Sequence, residues 1–197
     1  MMNMYRNHNT AYYPWQRRKT ENCRTIPDAG CGDGSLARFL DDGTKKITGT
    51  DPDIRCIERA DSLNESSGLR FSCCSFEDHT PDMRFDAIVF VASIHHMDMT
   101  EALRKAKALL SPSGKLLIVD LAAPSSITDR VVEAARAIPS KVISALHRMQ
   151  TSEELNLPVV YDYPRMIDIR NIVKKELPGA RIRYGLHYRY LLEREVR

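Results

Sequence analysis

No apolar run in these 197 residues reaches the roughly 18–20 residues that a bilayer-spanning helix needs. No membrane segment is therefore expected. The amino-terminal stretch from Met1 to Trp15 is polar and aromatic, with none of the apolar core of a secretion signal. Low-complexity tracts and internal repeats are also missing, and the length suits a single compact domain with a substantial core. Cysteine is sparse: Cys23, Cys31, Cys56, Cys73 and Cys74 are five in number and none falls in the paired C-x-x-C spacing of a zinc site. An odd set of unpaired thiols reads as reduced side chains in a cytoplasmic protein, and no metal requirement is expected. A strong excess of one charge is absent as well. The formal charge of +3 neither demands nor excludes nucleic acid.

Against that background one segment stands out. Asp28-Ala29-Gly30-Cys31-Gly32-Asp33-Gly34 places three alternating glycines after a short β-prone run (Cys23 to Ile26) and before an amphipathic segment, Ser35 to Leu40. The order reads strand, tight turn, helix. Glycine lets a backbone bend sharply and approach a ligand closely, and a helix start beyond it adds unpaired N–H donors. A P-loop would need Gly, four residues, then Gly-Lys-Ser/Thr, and nothing matches. A dinucleotide fingerprint, G-x-G-x-x-G, fails because its third glycine would fall on Ser35.

The rest of the chain alternates strand and helix. Lys46–Asp51 reads as a second strand ending in a carboxylate, and Asp53 to about Asn64 as a helix with Ile54, Ile57 and Ala60 at helical spacing. Leu69–Cys74 is a third strand. Phe85–Val91 is a near-continuous apolar run, as expected for a strand buried on both faces of a parallel sheet. Thr100–Leu110 reads as a helix with a favourable N-cap and Glu101 in its first turn. Pro112 and Gly114 make a turn, and Lys115–Leu121 is a fifth strand. A long helical stretch from Ile127 to about Met149 follows, broken at Pro139. A further helix, Met166–Leu177, is ended by Pro178-Gly179. Arg181–Leu186 and Tyr188–Glu193 are close enough to pair as an antiparallel hairpin. The expected fold is α/β: a Rossmann-like, doubly wound sheet of seven strands, mostly parallel, with a C-terminal antiparallel hairpin and helices on both faces. Within a single domain, residues 1–22 would form an N-terminal flap, 23–121 the core, 122–163 a cap and 164–197 the closing helix and hairpin.

Asp28-x-Gly30-x-Gly32-x-Gly34, with Asp51 closing the second strand, resembles the class I S-adenosylmethionine-dependent methyltransferases. Phe85–Val89 followed by Ile94-His95-His96 is similar to that family's fourth strand and the loop after it. Leu110-Ser111-Pro112-Ser113-Gly114-Lys115-Leu116 is similar to its step into the fifth strand. The resemblance implies S-adenosyl-L-methionine as cofactor, with S-adenosyl-L-homocysteine as product. It implies a donor site made by Asp28, Gly30, Cys31, Gly32, Gly34, Asp51, Pro52, Ser75, Phe76 and Val91. Asp51 would accept bonds from vicinal ribose hydroxyls. Phe76 would give the adenine a ring contact and a backbone N–H. Ser75 stands where many members carry an aspartate for the adenine amino group; it would accept that bond more weakly, or Glu77 or Asp78 would take the role. Pro27 sits where the family has an apolar residue in the central strand, so a gap in pairing or a water is expected there.

Methyl transfer from a sulfonium needs alignment and exclusion of water, and a base only if the nucleophile carries a proton that must leave early. His95 and His96 are the base candidates, because they follow the fourth strand at its carboxyl end; the alternative is that they pack the loop. Tyr5, His8, Tyr12, Tyr13 and Trp15 suggest either a flap over the substrate, with His8, Tyr12 and Tyr13 touching it, or a helix docked on the sheet. Arg136, His147 and Arg148 of the cap either reach the substrate or form a solvated face. The reading these features favour is a methyltransferase acting on a small molecule. RNA is the alternative acceptor, suggested by Arg181, Arg183, Arg189 and Arg194 interleaved with Tyr184, Tyr188 and Tyr190. A catalytically inactive donor-binding partner protein is the third possibility.

Overall fold

A computed structural model describes residues 8–127, 129–131, 163–186 and 188–195. Their core is one seven-stranded sheet in the order β3-β2-β1-β4-β5-β7-β6. The strands are β1 (Thr25–Ala29), β2 (Lys46–Asp51), β3 (Leu69–Cys73), β4 (Phe85–Val91), β5 (Leu110–Leu121), β6 (Arg181–Tyr184) and β7 (Arg189–Glu195). Neighbours from β3 through β5 pair in parallel, and β7 runs antiparallel between β5 and β6. The helices are α1 (Tyr13–Lys19), α2 (Ser35–Leu40), α3 (Ile54–Ser62), α4 (Met99–Leu109) and α5 (Met166–Glu176). The seven-stranded, mostly parallel sheet with an antiparallel close is the expected architecture.

Alternation along β4 shows why its apolar run is continuous. Ile88 and Phe90 join a cluster with Phe76, Leu103, Leu116, Ile118, Ile169, Tyr190 and Leu192. Ala87 and Val89 join one on the opposite face with Tyr13, Ile26, Leu36, Phe39 and Leu117. Successive side chains leave opposite faces of the sheet, and helices cover both, so no position from Ala87 to Phe90 can be polar without cost. Each fully buried Ile, Leu or Phe contributes roughly 1.5–3 kcal/mol.

Local signals set the helix starts. Asp53 caps α3 by accepting from the Arg55 amide at 2.9 Å, which satisfies one of the orphan donors of a first turn. Within α3, Ile57 and Ala60 are buried, whereas Ile54 is exposed. Helix α4 begins one residue earlier than its sequence suggests, at Met99, because Asp98 accepts from the Glu101 amide at 3.0 Å. Its end runs straight into β5, and the Ser111–Gly114 turn lies inside that strand as an irregularity. Phe85 pairs with Leu110, and regular pairing resumes only at Ala87 with Lys115.

Pro27 produces the expected gap. The β1 strand pairs with β2 along its whole length, but with β4 only at Asp28↔Val89 and Ala29↔Phe90. Lower down, the Asp86 side chain takes the place of the missing ladder. Its Oδ2 accepts from the amides of Arg24 (2.8 Å) and Thr25 (3.0 Å), and its own amide donates to Thr25 Oγ1 at 3.1 Å.

The amino-terminal segment is a docked helix where it is described, not a loose flap. Tyr13 and Gln16 are buried on α1, as is Thr20 at its C-cap. The Tyr13 ring lies 5.4 Å from that of Phe39, and the Arg17 guanidinium sits 4.1 Å from the Phe39 centroid. Most of the 122–163 cap, including Arg136, His147 and Arg148, lies outside the described residues, as does Tyr5.

Candidate active site

Strands β1, β2 and β3 run outward one way and β4, β5 the other, so the order reverses between β1 and β4. Open α/β sheets bind ligands at the carboxyl ends of the strands flanking such a reversal. The glycine turn leaves the end of β1 at this point, and the loop bearing His95 and His96 leaves the end of β4 beside it.

The three glycines serve different ends. All have positive φ, which L side chains adopt only under strain. At Gly30 a Cβ would lie 2.3 Å from Ser93 Cβ, and at Gly34 it would lie 2.6 Å from the Phe71 ring. Packing therefore demands both. A Cβ at Gly32 would meet nothing within 4 Å, so this glycine borders open space. The turn is fixed to β2: the amides of Gly30 and Cys31 donate to the Thr50 carbonyl at 2.8 and 3.0 Å, and the Gly32 amide donates to Asp51 Oδ2 at 3.0 Å. Asp51 also accepts from the Asp53 amide through Oδ1 at 2.9 Å. Each carboxylate oxygen has two acceptor sites, so half-buried Asp51 retains capacity for a ligand's hydroxyls.

Asp28 lies beneath the turn, 1% exposed, and its Oδ2 has no hydrogen-bond partner. Burial, then the nearby carboxylates of Asp51 and Asp33, push its pKa up to about 7. A buried carboxyl with one unpartnered oxygen among like charges fits a ligand with a cationic group. An amino acid carrying a nucleoside offers that group for Asp28 and the hydroxyls for Asp51. The residues present therefore fit S-adenosylmethionine.

Other residues named from the sequence fall differently. Cys31 is buried with its thiol against the β2 backbone, where it blocks any Cβ at Gly49; only its backbone can face the turn. The Phe76 ring is 1% exposed and makes an edge contact with Phe90, centroids 5.0 Å apart. Core packing thus removes it as an adenine-stacking ring and leaves its backbone. Ser75 Oγ both donates to Asp78 Oδ2 (2.7 Å) and accepts from the Asp78 amide (3.0 Å), so both residues are committed to one loop. Pro52 is exposed and Val91 half-buried, at the ends of β2 and β4.

Tyr13 is not placed to touch a substrate: its ring is packed under α2 and its hydroxyl shares a 2.8 Å bond with Ser35 Oγ. Burial, the leading effect, raises its pKa. Tyr12 donates to the Leu186 carbonyl at 2.7 Å. His8 is half-buried, and burial, then the charge of Arg189, lowers its pKa. Arg189 itself is buried and donates through Nε to Asn9 Oδ1 at 2.9 Å.

His95 and His96 are the last two residues of a short 3-10 turn, Ile94–His96. The loop before it carries Ala92 at φ 52° and Ser93, whose buried hydroxyl donates to the Ala29 carbonyl at 2.6 Å. Ser93 thereby joins the ends of β1 and β4. The His95 side chain is 5% exposed, and its Nδ1 lies 2.6 Å from Asp120 Oδ1. His96 is exposed, with its ring centroid 4.1 Å from that of His95; burial and then the neighbouring His95 lower its pKa. The sequence reading missed Ser93 and Asp120. Asp120 follows the apolar run Leu116–Val119 near the end of β5 with a carboxylate, a signal similar to the one that singled out Asp51 at the end of β2.

Residues 27–118 match a family model described as a methyltransferase domain. An uncharacterized methyltransferase of Mycobacterium tuberculosis is 30% identical over 171 residues, which cover 85% of this chain and 84% of that protein. The chain belongs to the class I S-adenosylmethionine-dependent methyltransferases. The YcgJ protein of Bacillus subtilis has a similar structure, with a TM-score of 0.64 at 21% identity, covering 88% of this chain and 70% of that one. The magnesium protoporphyrin IX methyltransferase of Synechocystis, crystallised with S-adenosylhomocysteine, superposes with a TM-score of 0.61 at 16% identity over 96% of this chain and 81% of its own. S-adenosylmethionine is the cofactor of this methyltransferase family. Among the described residues, no helix is long and apolar enough to cross a membrane, and no group of three or more His, Cys, Asp or Glu could hold a metal ion.

Proposed function

We propose that this methyltransferase transfers a methyl group from S-adenosylmethionine to a small-molecule acceptor by direct displacement. The carrying observation is the pairing of two features across the β1/β4 reversal. One is an open glycine turn over Asp28, whose buried Oδ2 is unpartnered, and the other is a buried imidazole at the end of β4. Asp28 would receive the donor's amino group, directly or through water. Asp51 would hold the ribose, and the turn's backbone would lie along the amino-acid portion. When bound, the donor supplies a methyl group already activated by its sulfonium. His95, or His96 beside it, would take a proton from an acceptor that carries one.

A small-molecule acceptor is favoured over RNA because two residues of the basic aromatic stripe, Arg189 and Tyr190, are buried. What remains exposed of it on β6, Arg181 and Arg183, is one edge strand. Calorimetry with S-adenosylhomocysteine tests the donor site, and product release across a panel of small acceptors and tRNA tests the acceptor class. His95→Asn and His96→Asn test the bases: if neither lowers turnover by more than a few fold, neither histidine is the base. A steep salt dependence of tRNA binding would transfer the assignment to RNA.

A further inference from the structure

Asp120 is the penultimate residue of β5. It is fully buried and collects three donors. Oδ1 faces His95 Nδ1 at 2.6 Å and accepts from the Leu121 amide at 2.7 Å, while Oδ2 accepts from the His95 amide at 3.0 Å. A buried carboxylate is costly unless its lone pairs are filled. Here two backbone amides hold it in place before the imidazole is considered, so its position does not depend on the His95 ring. The same carboxylate grips the His95 backbone and side chain together, which fixes the ring's direction as well as its anchor. Tyr163 meets the ring edge-on, with centroids 5.6 Å apart, and limits the remaining rotation.

We propose that Asp120 is a positioning residue for methyl transfer, one that locks neutral His95 in the tautomer protonated at Nδ1. A carboxylate only accepts, so the nitrogen facing it carries the hydrogen and Nε2 keeps the lone pair. In the proton step the acceptor's O–H or N–H bond breaks, its electron pair stays on the acceptor atom, and the proton bonds to Nε2. The positive charge that then develops on the ring faces the Asp120 carboxylate. The proton later leaves Nε2 for solvent. Without Asp120, Nδ1 would compete for that proton, and a ring protonated at Nε2 would present a donor where an acceptor is needed. The proposal rests on His95 as the base.

Nitrogen-15 NMR of the imidazoles in protein saturated with S-adenosylhomocysteine reads the tautomer without any acceptor. At a pH where His95 is neutral, its Nδ1 should show a protonated-type shift and its Nε2 an unprotonated one. In Asp120→Asn the two signals should converge or exchange places, while affinity for S-adenosylhomocysteine stays within about three-fold of wild type. A wild-type His95 protonated at Nε2, or a variant with an unchanged spectrum, overturns the proposal. If Asp120→Asn fails to fold, the wild-type spectrum alone decides. A locked Nδ1–H tautomer in a protein whose His95→Asn variant keeps full turnover would instead overturn the base assignment and, with it, the role given to Asp120.

Discussion

Replacing Asp28 with Asn should change stability and donor binding in opposite directions. In the ligand-free protein the Asp28 carboxyl is raised from 3.8 to about 7, by burial first and then by Asp51 and Asp33. Between those values the folded state holds a proton that the unfolded chain has released, so stability falls as pH rises from about 4 to about 7. Above that window the cost is complete. At about 1.4 kcal/mol for each pH unit, it approaches about 4 kcal/mol. Asparagine fills the same space without a charge, so Asp28→Asn should match wild type near pH 4 and become more stable by a few kcal/mol at pH 8. Denaturant melts at half-unit pH intervals would measure the widening gap. Binding should run the other way. Wild-type affinity for S-adenosylhomocysteine should strengthen as pH rises toward 7, with release of a proton that calorimetry in two buffers can count. The variant should bind weakly and with no pH dependence over that range. A stability gap that stays constant with pH would refute the reasoning, as would wild-type binding that releases no proton.

Gly32→Val should reduce affinity for S-adenosylhomocysteine at least a hundred-fold, because its side chain enters the open space beside Asp51. The cost in stability should be only about 1–2 kcal/mol, from the positive φ, as calorimetry and thermal melts will show. Gly30→Ala should instead damage folding, since its Cβ collides with Ser93; Ser93→Gly should recover part of the loss in a double-mutant cycle. Asp86→Ala leaves the Arg24 and Thr25 amides without their acceptor and should cost about 1–3 kcal/mol in denaturant melts. Burial raises the Asp86 pKa, but the bonds from Arg24 and Thr25 outweigh it and the net shift is downward. Its contribution should therefore be present at neutral pH and fade as the folded carboxyl protonates in acid, leaving wild type and variant closer together there.

Strand and helix identities are legible because a parallel strand covered on both faces is apolar where it is covered, as Ala87–Phe90 is. The glycine turn was legible because positive φ leaves few residue choices. Pro27 announced its own gap, since a missing N–H is a property of the residue itself. What could not be read was which face each polar side chain would take. The Phe76 ring reads as an adenine contact and is core, because it packs edge-on against Phe90 on the same face of the sheet. Tyr13 seemed a substrate contact and packs under α2. Asp120 meets His95 only because β4 and β5 are neighbours, and their register is set by pairing across a long stretch of chain. Helix α4 starts at Met99 rather than Thr100 because the Asp98 side chain caps it by accepting from the Glu101 amide, a contact that composition alone does not decide.

The antiparallel pairing of β5 with β7 has a consequence for how the chain is made. Synthesis runs from the amino end, so β5 emerges well before the strand that pairs with it from Lys115↔Glu195 to Leu121↔Arg189. In that interval Leu116, Leu117, Ile118 and Val119, all essentially buried in the finished sheet, stand on an open edge with unpaired amides and carbonyls. Such an edge recruits other chains as readily as its own partner. A nascent methyltransferase released before β7 is complete should therefore aggregate through β5, even though its glycine turn and the strands on the other side of β4 could already have formed.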